Sequence, residues 1–345
     1  MEKTRLLGKT PSELKEIAVR AGLPGFTGRQ MAEWIYGKRV RSIGEMTNLS
    51  KAGRERLMES YEVGVAEPVG RAVSSDGTCK YLFPVNGDAG NAVEAVMIPD
   101  GDRKTLCVSS QAGCKMGCKF CMTGRQGFHG NLAAADILSQ FFGIREAGEL
   151  TNTVFMGMGE PLDNWEEVKR VIEVLTADWG FGWSPKRITL STIGVLPNLR
   201  RYLDECRCHL AVSLHDPFPD ERLSLMPAQK AFPIGEVVDL VRQYDFTGQR
   251  RVSFEYTMFS GFNDTPRHAD ALLRLLHGLE CRVNLIRFHR IPDFPYGTSS
   301  QAAMEAFRDR LSRGGITATI RASRGEDILA ACGLLAGLHN HDKCL

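Results

Sequence analysis

Three cysteines lie close together in the stretch Gly113-Cys114-Lys115-Met116-Gly117-Cys118-Lys119-Phe120-Cys121. The stretch follows Thr105–Val108, an apolar, β-branched run of the kind that forms a buried strand. Zinc sites and iron–sulfur cubanes usually take four protein ligands. Three cysteines spaced C-x3-C-x2-C therefore predict a [4Fe–4S] cluster with one iron left open for a ligand. Three structural cysteines, or a zinc site completed by a distant residue, are the alternatives.

From about Lys104 onward, strand-like and helical patterns alternate along the sequence. The apolar runs are Thr105–Val108, Asn152–Met156, Arg187–Leu190, His209–Leu214, Arg251–Tyr256, Val283–Phe288 and Ile316–Ile320. The helical stretches between them include Leu132–Arg145, Trp165–Leu175, Ile234–Tyr244, Arg267–Leu276 and Ser300–Ser312. Repeated βα units imply parallel strands with right-handed crossovers. We therefore predict an α/β fold with a partial, TIM-like (β/α) barrel, whose site lies at the C-terminal ends of the strands.

The first sixty residues are predicted to be helical. Thr10 is an N-cap, Pro11 takes the first helical position and Glu13 completes a capping box. Two more helices are expected near residues 27–37 and 49–61, followed by short strands near 80–85 and 92–98. We divide the chain into an N-terminal helical accessory domain (1–65), a short β linker region (66–103), a core barrel (104–325) and a C-terminal segment (326–345).

The composition is that of an ordinary globular protein. Of 345 residues, 43% are hydrophobic and 24% are charged, and the formal net charge is +2. This charge by itself neither demands nor excludes a nucleic-acid partner. No apolar run has the length of a signal peptide or a membrane span, which favours the cytoplasm. In that reducing compartment, ten cysteines indicate metal binding or redox chemistry rather than disulfide scaffolding.

A second motif, Met156-Gly157-Met158-Gly159-Glu160-Pro161, follows the next predicted strand. Taken alone it is a turn before a helix, with glycines that let the backbone approach a ligand closely. The cysteine spacing, its position after the first barrel strand and the phenylalanine before Cys121 resemble the radical S-adenosylmethionine superfamily. In that superfamily the open iron binds the cofactor's methionine part, and an electron from the cluster cleaves the cofactor to a 5′-deoxyadenosyl radical. The second motif is similar to the superfamily's GGEP-type motif, which contacts the cofactor's amino group.

The resemblance extends over almost the whole chain to one family, the RNA adenine-C2 methyltransferases. It is carried by Cys107–Cys114, Met156–Pro161, Leu190-Ser191-Thr192, Ser213-Leu214-His215 and Arg324–Gly333, and by the small helical N-terminal domain. The resemblance implies a cytoplasmic enzyme that methylates an adenosine of 23S rRNA near the peptidyl-transferase centre and an anticodon-loop adenosine of tRNA. It also implies an RNA-binding N-terminal domain, two S-adenosylmethionine molecules per turnover and a low-potential electron donor such as flavodoxin. The [4Fe–4S] cluster would be held by Cys114, Cys118 and Cys121.

Adenine chemistry explains why such an enzyme needs two further cysteines. The C2 carbon lies between two ring nitrogens, and it is too electron-poor to attack a sulfonium methyl group. The resemblance implies that Cys332 takes the methyl group first, as a nucleophile. Cys107 would later resolve the protein–RNA adduct through a transient disulfide with Cys332. Taken alone, each cysteine is an ordinary structural residue.

Further site residues come from the same resemblance. Glu94, a carboxylate in an otherwise apolar strand, matches the family's candidate proton acceptor. The expected cofactor contacts are Gly159, Glu160, Ser191, Ser213, Leu214, His215 and His289. The family usually has asparagine at the position of His289. Both side chains offer a hydrogen-bond donor or acceptor, so a contact with the cofactor's adenine remains possible.

Three other functions stay open at this point. A C8-specific 23S rRNA adenine methyltransferase shares the cluster, both extra cysteines and the fold, but the N-terminal segment favours C2. A radical enzyme acting on a small molecule would not need the pair of Cys107 and Cys332. A non-enzymatic iron–sulfur or zinc RNA-binding protein would not form 5′-deoxyadenosine.

Overall fold

Eleven strands form one sheet within residues 3–85, 87–248 and 250–336, the residues that the computed structural model describes. The strands are β1 (Thr4–Arg5), β2 (Tyr61–Glu62), β3 (Gly70–Val73), β4 (Cys79–Val85), β5 (Asp88–Asp100), β6 (Arg103–Cys107), β7 (Gln111–Gly113), β8 (Phe128–Asn131), β9 (Asn152–Phe155), β10 (Ile188–Thr192), β11 (His209–Ser213), β12 (Val252–Ser260), β13 (Arg282–Arg287), β14 (Gly297–Thr298) and β15 (Thr317–Ile320). The α-helices are α1 (Pro11–Arg20), α2 (Thr27–Ala32), α3 (Lys51–Ser60), α4 (Met122–Arg125), α5 (Ala134–Phe142), α6 (Trp165–Thr176), α7 (Leu196–Glu205), α8 (Pro219–Leu225), α9 (Ile234–Val241), α10 (Pro266–Leu275) and α11 (Gln301–Arg313).

The centre of the sheet is a run of parallel strands in sequence order. Its members are β6, β9, β10, β11, β12, β13 and β15. Each coincides with one of the predicted apolar runs, and α5, α6, α9, α10 and α11 coincide with the predicted helices. Because β15 stays at one edge of the sheet, the barrel is open. The predicted partial (β/α) barrel is confirmed.

On the other side of β6 the sheet continues with antiparallel strands. β5 pairs with β6, β4 with β5, and β3 with β4. These three strands lie within residues 66–103, the region predicted to be a short β linker. β5 is 13 residues long and carries Glu94. This region therefore widens the sheet beside the first barrel strand.

Residues 4–62 form a small helical unit whose two end strands, β1 and β2, pair with each other. α1 begins as predicted, because Thr10 Oγ1 accepts a hydrogen bond from Glu13 N at 3.3 Å and the Glu13 carboxylate accepts one from Thr10 N at 2.7 Å. The second predicted helix is α2 followed by a π-helical turn, Glu33–Gly37. None of the described helices is long and apolar enough to span a membrane.

Two arginines join this helical unit to the barrel. Arg39 donates to the carbonyl oxygen of Ala147, and Arg41 donates to that of Phe142 at the end of α5. Both guanidinium groups thus have partners inside the protein.

After β15 the chain crosses to the opposite edge of the sheet. Asp327 accepts a hydrogen bond from Ser74 in the turn between β3 and β4. The chain then returns to the barrel mouth, where Gly333 O accepts a hydrogen bond from Met122 N at 2.8 Å. Residues 326–336, the described part of the C-terminal segment, therefore link the two edges of the open sheet.

Candidate active site

The three predicted cluster ligands lie in the loop between β7 and α4, here called the cluster loop (residues 113–121). Gly113 has a φ of 70°, and a Cβ at this position would lie 1.9 Å from the carbonyl oxygen of Gly127. Only glycine therefore fits where the loop begins. Cys114 N donates to the same carbonyl at 2.8 Å, and Cys121 N donates to Cys118 O at 3.2 Å. Backbone hydrogen bonds thus hold both ends of the cysteine motif.

The three sulfurs fit a metal cluster better than a single ion. Although all three cysteines are described, their sulfurs do not all lie within 4.8 Å of one another. One zinc ion with Zn–S bonds of about 2.3 Å needs sulfurs no more than about 4.6 Å apart. Burial raises the pKa of all three thiols, that of Cys114 to about 12. Metal ligation requires thiolates, so a strongly cationic group suits this loop.

The cluster loop opens into a cavity at the carboxyl ends of the parallel strands. Its empty volume, with the mouth included, is about 970 Å³. The lining contains the three cluster cysteines, Cys332, and five of the predicted cofactor residues: Gly159, Glu160, Ser191, Ser213 and His215.

Glu160 is buried at the wall of this cavity. Its carboxylate accepts hydrogen bonds from Leu162 N at 3.1 Å and from Ile193 N at 2.9 Å. Burial raises the pKa of Glu160 to about 7 despite these bonds. An ammonium group bound beside it would favour the charged form. Gly159 has a φ of 99°, and a Cβ there would lie 2.5 Å from the Gln111 side chain, so the backbone at this wall leaves no room for a larger residue.

His215 follows β11 in a left-handed conformation, with a φ of 57°. Thr257 N donates to His215 Nδ1 at 3.0 Å, so the ring hydrogen belongs on Nε2. Burial lowers the pKa of His215 to about 3, which keeps the ring neutral. Behind it, the fully buried Arg222 donates to the carbonyl oxygens of Ser213 and Leu214, each at 3.0 Å. The end of β11 is therefore fixed by a buried cation.

Two predicted cofactor residues lie outside the cavity lining that the described residues form. Leu214 is fully buried, and its backbone N–H donates to Glu255 O at 3.0 Å. The His289 ring lies 3.1 Å from Ser323 Oγ and 3.2 Å from Glu326 Oε1. Their assignment as cofactor contacts stays a prediction.

Cys107 and Cys332 are free thiols close enough for their charges to interact. Burial raises the pKa of Cys107 to about 12, and Cys332 adds to the rise while Arg321 opposes it. Burial alone would lower the pKa of Arg321, but Cys332, Glu255 and Cys107 together raise it above its usual value. Cys332 is exposed and lines the cavity. The pair thus consists of an accessible sulfur and a buried, protonated neighbour.

Glu94 lies behind the C-terminal segment. Its Oε1 is 3.1 Å from Lys80 Nζ, and its Oε2 accepts a hydrogen bond from Ala336 N at 3.0 Å. It does not appear in the cavity lining of the described residues. Its role as proton acceptor stays a prediction.

Sequence reasoning missed four charged residues around this site: Lys80, Arg222, Glu255 and Arg321. Two of them had a signal, because Glu255 interrupts a buried parallel strand and Arg321 directly follows the last barrel strand. The other two did not, because their partners are distant in sequence or are backbone carbonyls.

Comparisons with known proteins agree with this geometry. A family model of the radical SAM superfamily matches residues 108–273, and a model described as the ribosomal RNA large subunit methyltransferase N-terminal domain matches residues 4–63. A crystal structure of a radical SAM methyltransferase from Sphaerobacter thermophilus is 40% identical, with a TM-score of 0.89, and the alignment covers 96% of this chain and 99% of that one.

Two relatives extend the similarity over the full chain. A probable dual-specificity RNA methyltransferase RlmN from Porphyromonas gingivalis is 60% identical over 331 residues, 96% of each chain. A dual-specificity RNA methyltransferase RlmN from Syntrophus aciditrophicus is 39% identical over 99% of each chain. At this identity and coverage, together with a cavity that joins the three-cysteine loop to Cys332, the chain belongs to the radical SAM superfamily and, within it, to the RlmN family.

Proposed function

We propose that this protein methylates the C2 carbon of adenosine in RNA, with 23S rRNA and tRNA as substrates. The observation that carries the proposal is that one cavity contains both the cluster loop and the exposed sulfur of Cys332. A methyl carrier must reach the cofactor and the substrate in turn, and a thiol at this place can do so. The relatives named as RNA methyltransferases and the match of the N-terminal unit support RNA rather than a small molecule as the substrate.

The residues of the cavity fit two cofactors. Cys114, Cys118 and Cys121 would hold the [4Fe–4S] cluster, and the cavity wall would hold S-adenosylmethionine. When bound, these groups supply a low-potential electron, a methyl group and a hydrogen-abstracting radical. The Glu160 carboxylate suits the cofactor's ammonium group, and His215 offers the N–H of a neutral ring.

In the first step that we propose, the Cys332 sulfur accepts a methyl group as a nucleophile. The guanidinium of Arg321 lies close enough to this sulfur for their charges to interact. Loss of a hydrogen atom from the methyl group then leaves a carbon radical attached to Cys332. Addition of this carbon to C2 ties the RNA to the protein through one sulfur.

In the release steps, Glu94 would take the proton from C2, and the unpaired electron left on the ring by radical addition would pass to the oxidised cluster that the three cysteines would hold. The Cys107 thiol would then give up its proton and attack the sulfur of Cys332. The S–S bond forms as the bond between the Cys332 sulfur and the carbon breaks. The electron pair stays with that carbon, which becomes a methyl group on taking a proton. Burial keeps Cys107 protonated until this point, since its pKa is raised to about 12.

RNA is proposed to bind across the mouth of the cavity. Lys115 Nζ lies 4.4 Å from the centroid of the exposed Phe128 ring and 2.9 Å from Asp163 Oδ2. A phosphate that replaces Asp163 as its partner, and an unstacked base on Phe128, would suit this pair of side chains. Lys38, Arg39 and Arg41 form a basic run in the N-terminal unit, and both arginines donate to carbonyl oxygens of the barrel. We assign phosphate contacts to Lys38, whose Nζ lies 3.5 Å from the centroid of the Trp34 ring. A low-potential donor such as flavodoxin would supply electrons in the cytoplasm.

Mass mapping of adenosine methylation in rRNA and tRNA tests the proposal directly. Cells without the gene should lack C2-methyladenosine, and expression of the wild-type protein should restore it. Cys332→Ala should not restore it, whereas Cys281→Ala, which changes a cysteine outside the site, should. Methylation at C8 would instead assign the C8-specific activity, and unchanged RNA would contradict the proposal.

A further inference from the structure

A buried ion pair lies behind the segment that carries Cys332. Lys80 Nζ and Glu94 Oε1 are 3.1 Å apart, and the two side chains are 8% and 1% exposed. Lys80 lies on β4 opposite Val96, and Glu94 lies two residues before Val96 on β5. The two side chains are therefore diagonal neighbours on one face of the sheet.

The same two side chains bind both ends of residues 329–336, the stretch that contains Cys332. Lys80 Nζ donates to Leu329 O at 3.3 Å, and Glu94 Oε2 accepts from Ala336 N at 3.0 Å. Cys332 lies between these two anchor points. Leu329 also has a φ of 53°, a conformation that an isolated leucine avoids, so the anchors hold a strained turn in place.

The hold on this stretch depends on the charge of Glu94. A buried ion pair is stable only while both charges are present, because removal of one leaves the other uncompensated. The hydrogen bond from Ala336 N is also stronger to a carboxylate than to a neutral carboxylic acid. If Glu94 gains a proton, both the pair and this hydrogen bond weaken together.

We propose that Lys80 and Glu94 form a charge-controlled clasp on residues 329–336 and that proton uptake by Glu94 opens it. The inference rests on the proposed function, in which Glu94 takes the C2 proton while Cys332 is tied to RNA. Lys80 is a positioning residue that acts through Glu94 and Leu329. Opening of the clasp frees the Cys332 sulfur to approach Cys107 only after the proton has left the adduct. The clasp thus orders the two release steps.

Hydrogen–deuterium exchange of the cluster-loaded holoenzyme tests the clasp without RNA. Glu94→Gln keeps the size of the side chain and imitates its protonated form. We expect amides in residues 330–336 to exchange about ten- to hundredfold faster in Glu94→Gln and in Lys80→Met, because a charge-assisted hydrogen bond is lost. Exchange in residues 114–121 should stay as in the wild type. Lys80→Arg, which keeps the charge, should restore most of the protection.

Glu146→Gln is the matched control. Glu146 is also shielded and paired, with Arg71 at 3.6 Å and with the Tyr81 hydroxyl at 2.6 Å, but among the described residues its ion pair and side-chain hydrogen bonds do not involve residues 326–336. Unchanged exchange of residues 330–336 in Glu94→Gln, or an equal increase in Glu146→Gln, would overturn the clasp. If Lys80→Met fails to fold, the exchange of residues 330–336 in Glu94→Gln is sufficient to test the clasp. Failure of the proposed function is seen separately, as wild-type protein that neither carries a methyl group on Cys332 nor methylates RNA.

Discussion

The cluster loop and the C-terminal segment meet in one cavity, but they are held in different ways. Cys114 and Cys121, at the two ends of the cysteine motif, bond to backbone atoms of Gly127 and Cys118, which are near in sequence. The stretch around Cys332 is bound by partners more than 200 positions away in sequence, among them Lys80, Glu94, Thr123 and Gln126.

This difference in hydrogen bonding predicts a difference in mobility between the cluster loop and the C-terminal segment. A loop closed by its own neighbours is rigid as soon as the adjacent strands form, which suits the binding of an inorganic cluster. A segment held by a few long-range hydrogen bonds can detach locally without global unfolding. That property suits the proposed role of Cys332, whose sulfur would meet a cofactor, a substrate and a second thiol in turn.

The largest effect on cluster binding is expected from removal of a cluster ligand in the cluster loop. Anaerobically reconstituted protein should bind about four irons and four sulfides per chain. Cys118→Ala should lose the cluster absorbance and all 5′-deoxyadenosine formation, because two cysteines cannot hold the cubane. Cys79→Ala, a buried cysteine of β4, should keep both. Retention of the full cluster spectrum in Cys118→Ala would contradict the assignment of the loop.

Substitution of the two extra cysteines should distinguish the proposed methyl carrier, Cys332, from Cys107, the thiol proposed to release the RNA. Cys107→Ala should accumulate a protein–RNA crosslink through Cys332, since the release step lacks its attacking thiol. Cys332→Ala should accumulate none, because no methyl group is carried. The readout is a nuclease- and denaturant-resistant adduct on a gel, confirmed by mass spectrometry. Normal turnover of Cys107→Ala without an adduct would return Cys107 to the role of a core cysteine.

A pair of glycine substitutions compares the rigidity of the two regions. Gly113 and Gly333 both have positive φ, 70° and 85°, but an added Cβ would lie 1.9 Å from a backbone oxygen at Gly113 and 3.3 Å from one at Gly333. Gly113→Ala should lower the unfolding free energy by ~3 kcal/mol or more, and Gly333→Ala by about 1 kcal/mol. Thermal unfolding of both variants measures this difference. Equal losses would mean that the cluster loop is no more rigid than the C-terminal segment.

The smallest effect concerns α8, whose last residue, Leu225, accepts a hydrogen bond from Lys119 N of the cluster loop at 2.9 Å. Asp216, before this helix, is fully buried, and its Oδ2 has no hydrogen-bond partner among the described residues. Burial raises the pKa of Asp216 to about 7, from 3.8 in the unfolded chain. Its contribution to stability is therefore present below pH 4 and is lost as the pH rises through 7.

Asp216→Asn removes this titration. Its melting temperature should exceed that of the wild type at pH 8, by an amount equivalent to ~1–2 kcal/mol, and the advantage should shrink toward pH 5. Asp220→Asn, on the exposed side of α8, is the control and should leave the pH dependence unchanged. If the melting temperature of Asp216→Asn depended on pH as that of the wild type does, ionisation of Asp216 would not be what destabilises the protein at high pH.

The strands of the barrel and the cysteine motif could be predicted because their signals are local. Apolar runs, cysteine spacing and the capping box at Thr10 each depend on residues within a few positions. The pairing of Lys80 with Glu94 depends on the register of β4 and β5, which no short pattern specifies. The same limit applies to the contacts of the His289 ring with Ser323 and Glu326, which come from a separate loop.

The long return of the C-terminal segment also has a consequence in time. Cys332 is made about 210 residues after Cys121, and at a synthesis rate of roughly 5–20 residues per second this corresponds to about 10–40 seconds. During that interval the cysteines of the cluster loop are already outside or leaving the ribosome, while the segment that links the two sheet edges does not yet exist. Iron and sulfide therefore have a period of open access to these thiols, which ends when residues 326–336 fold across the barrel mouth.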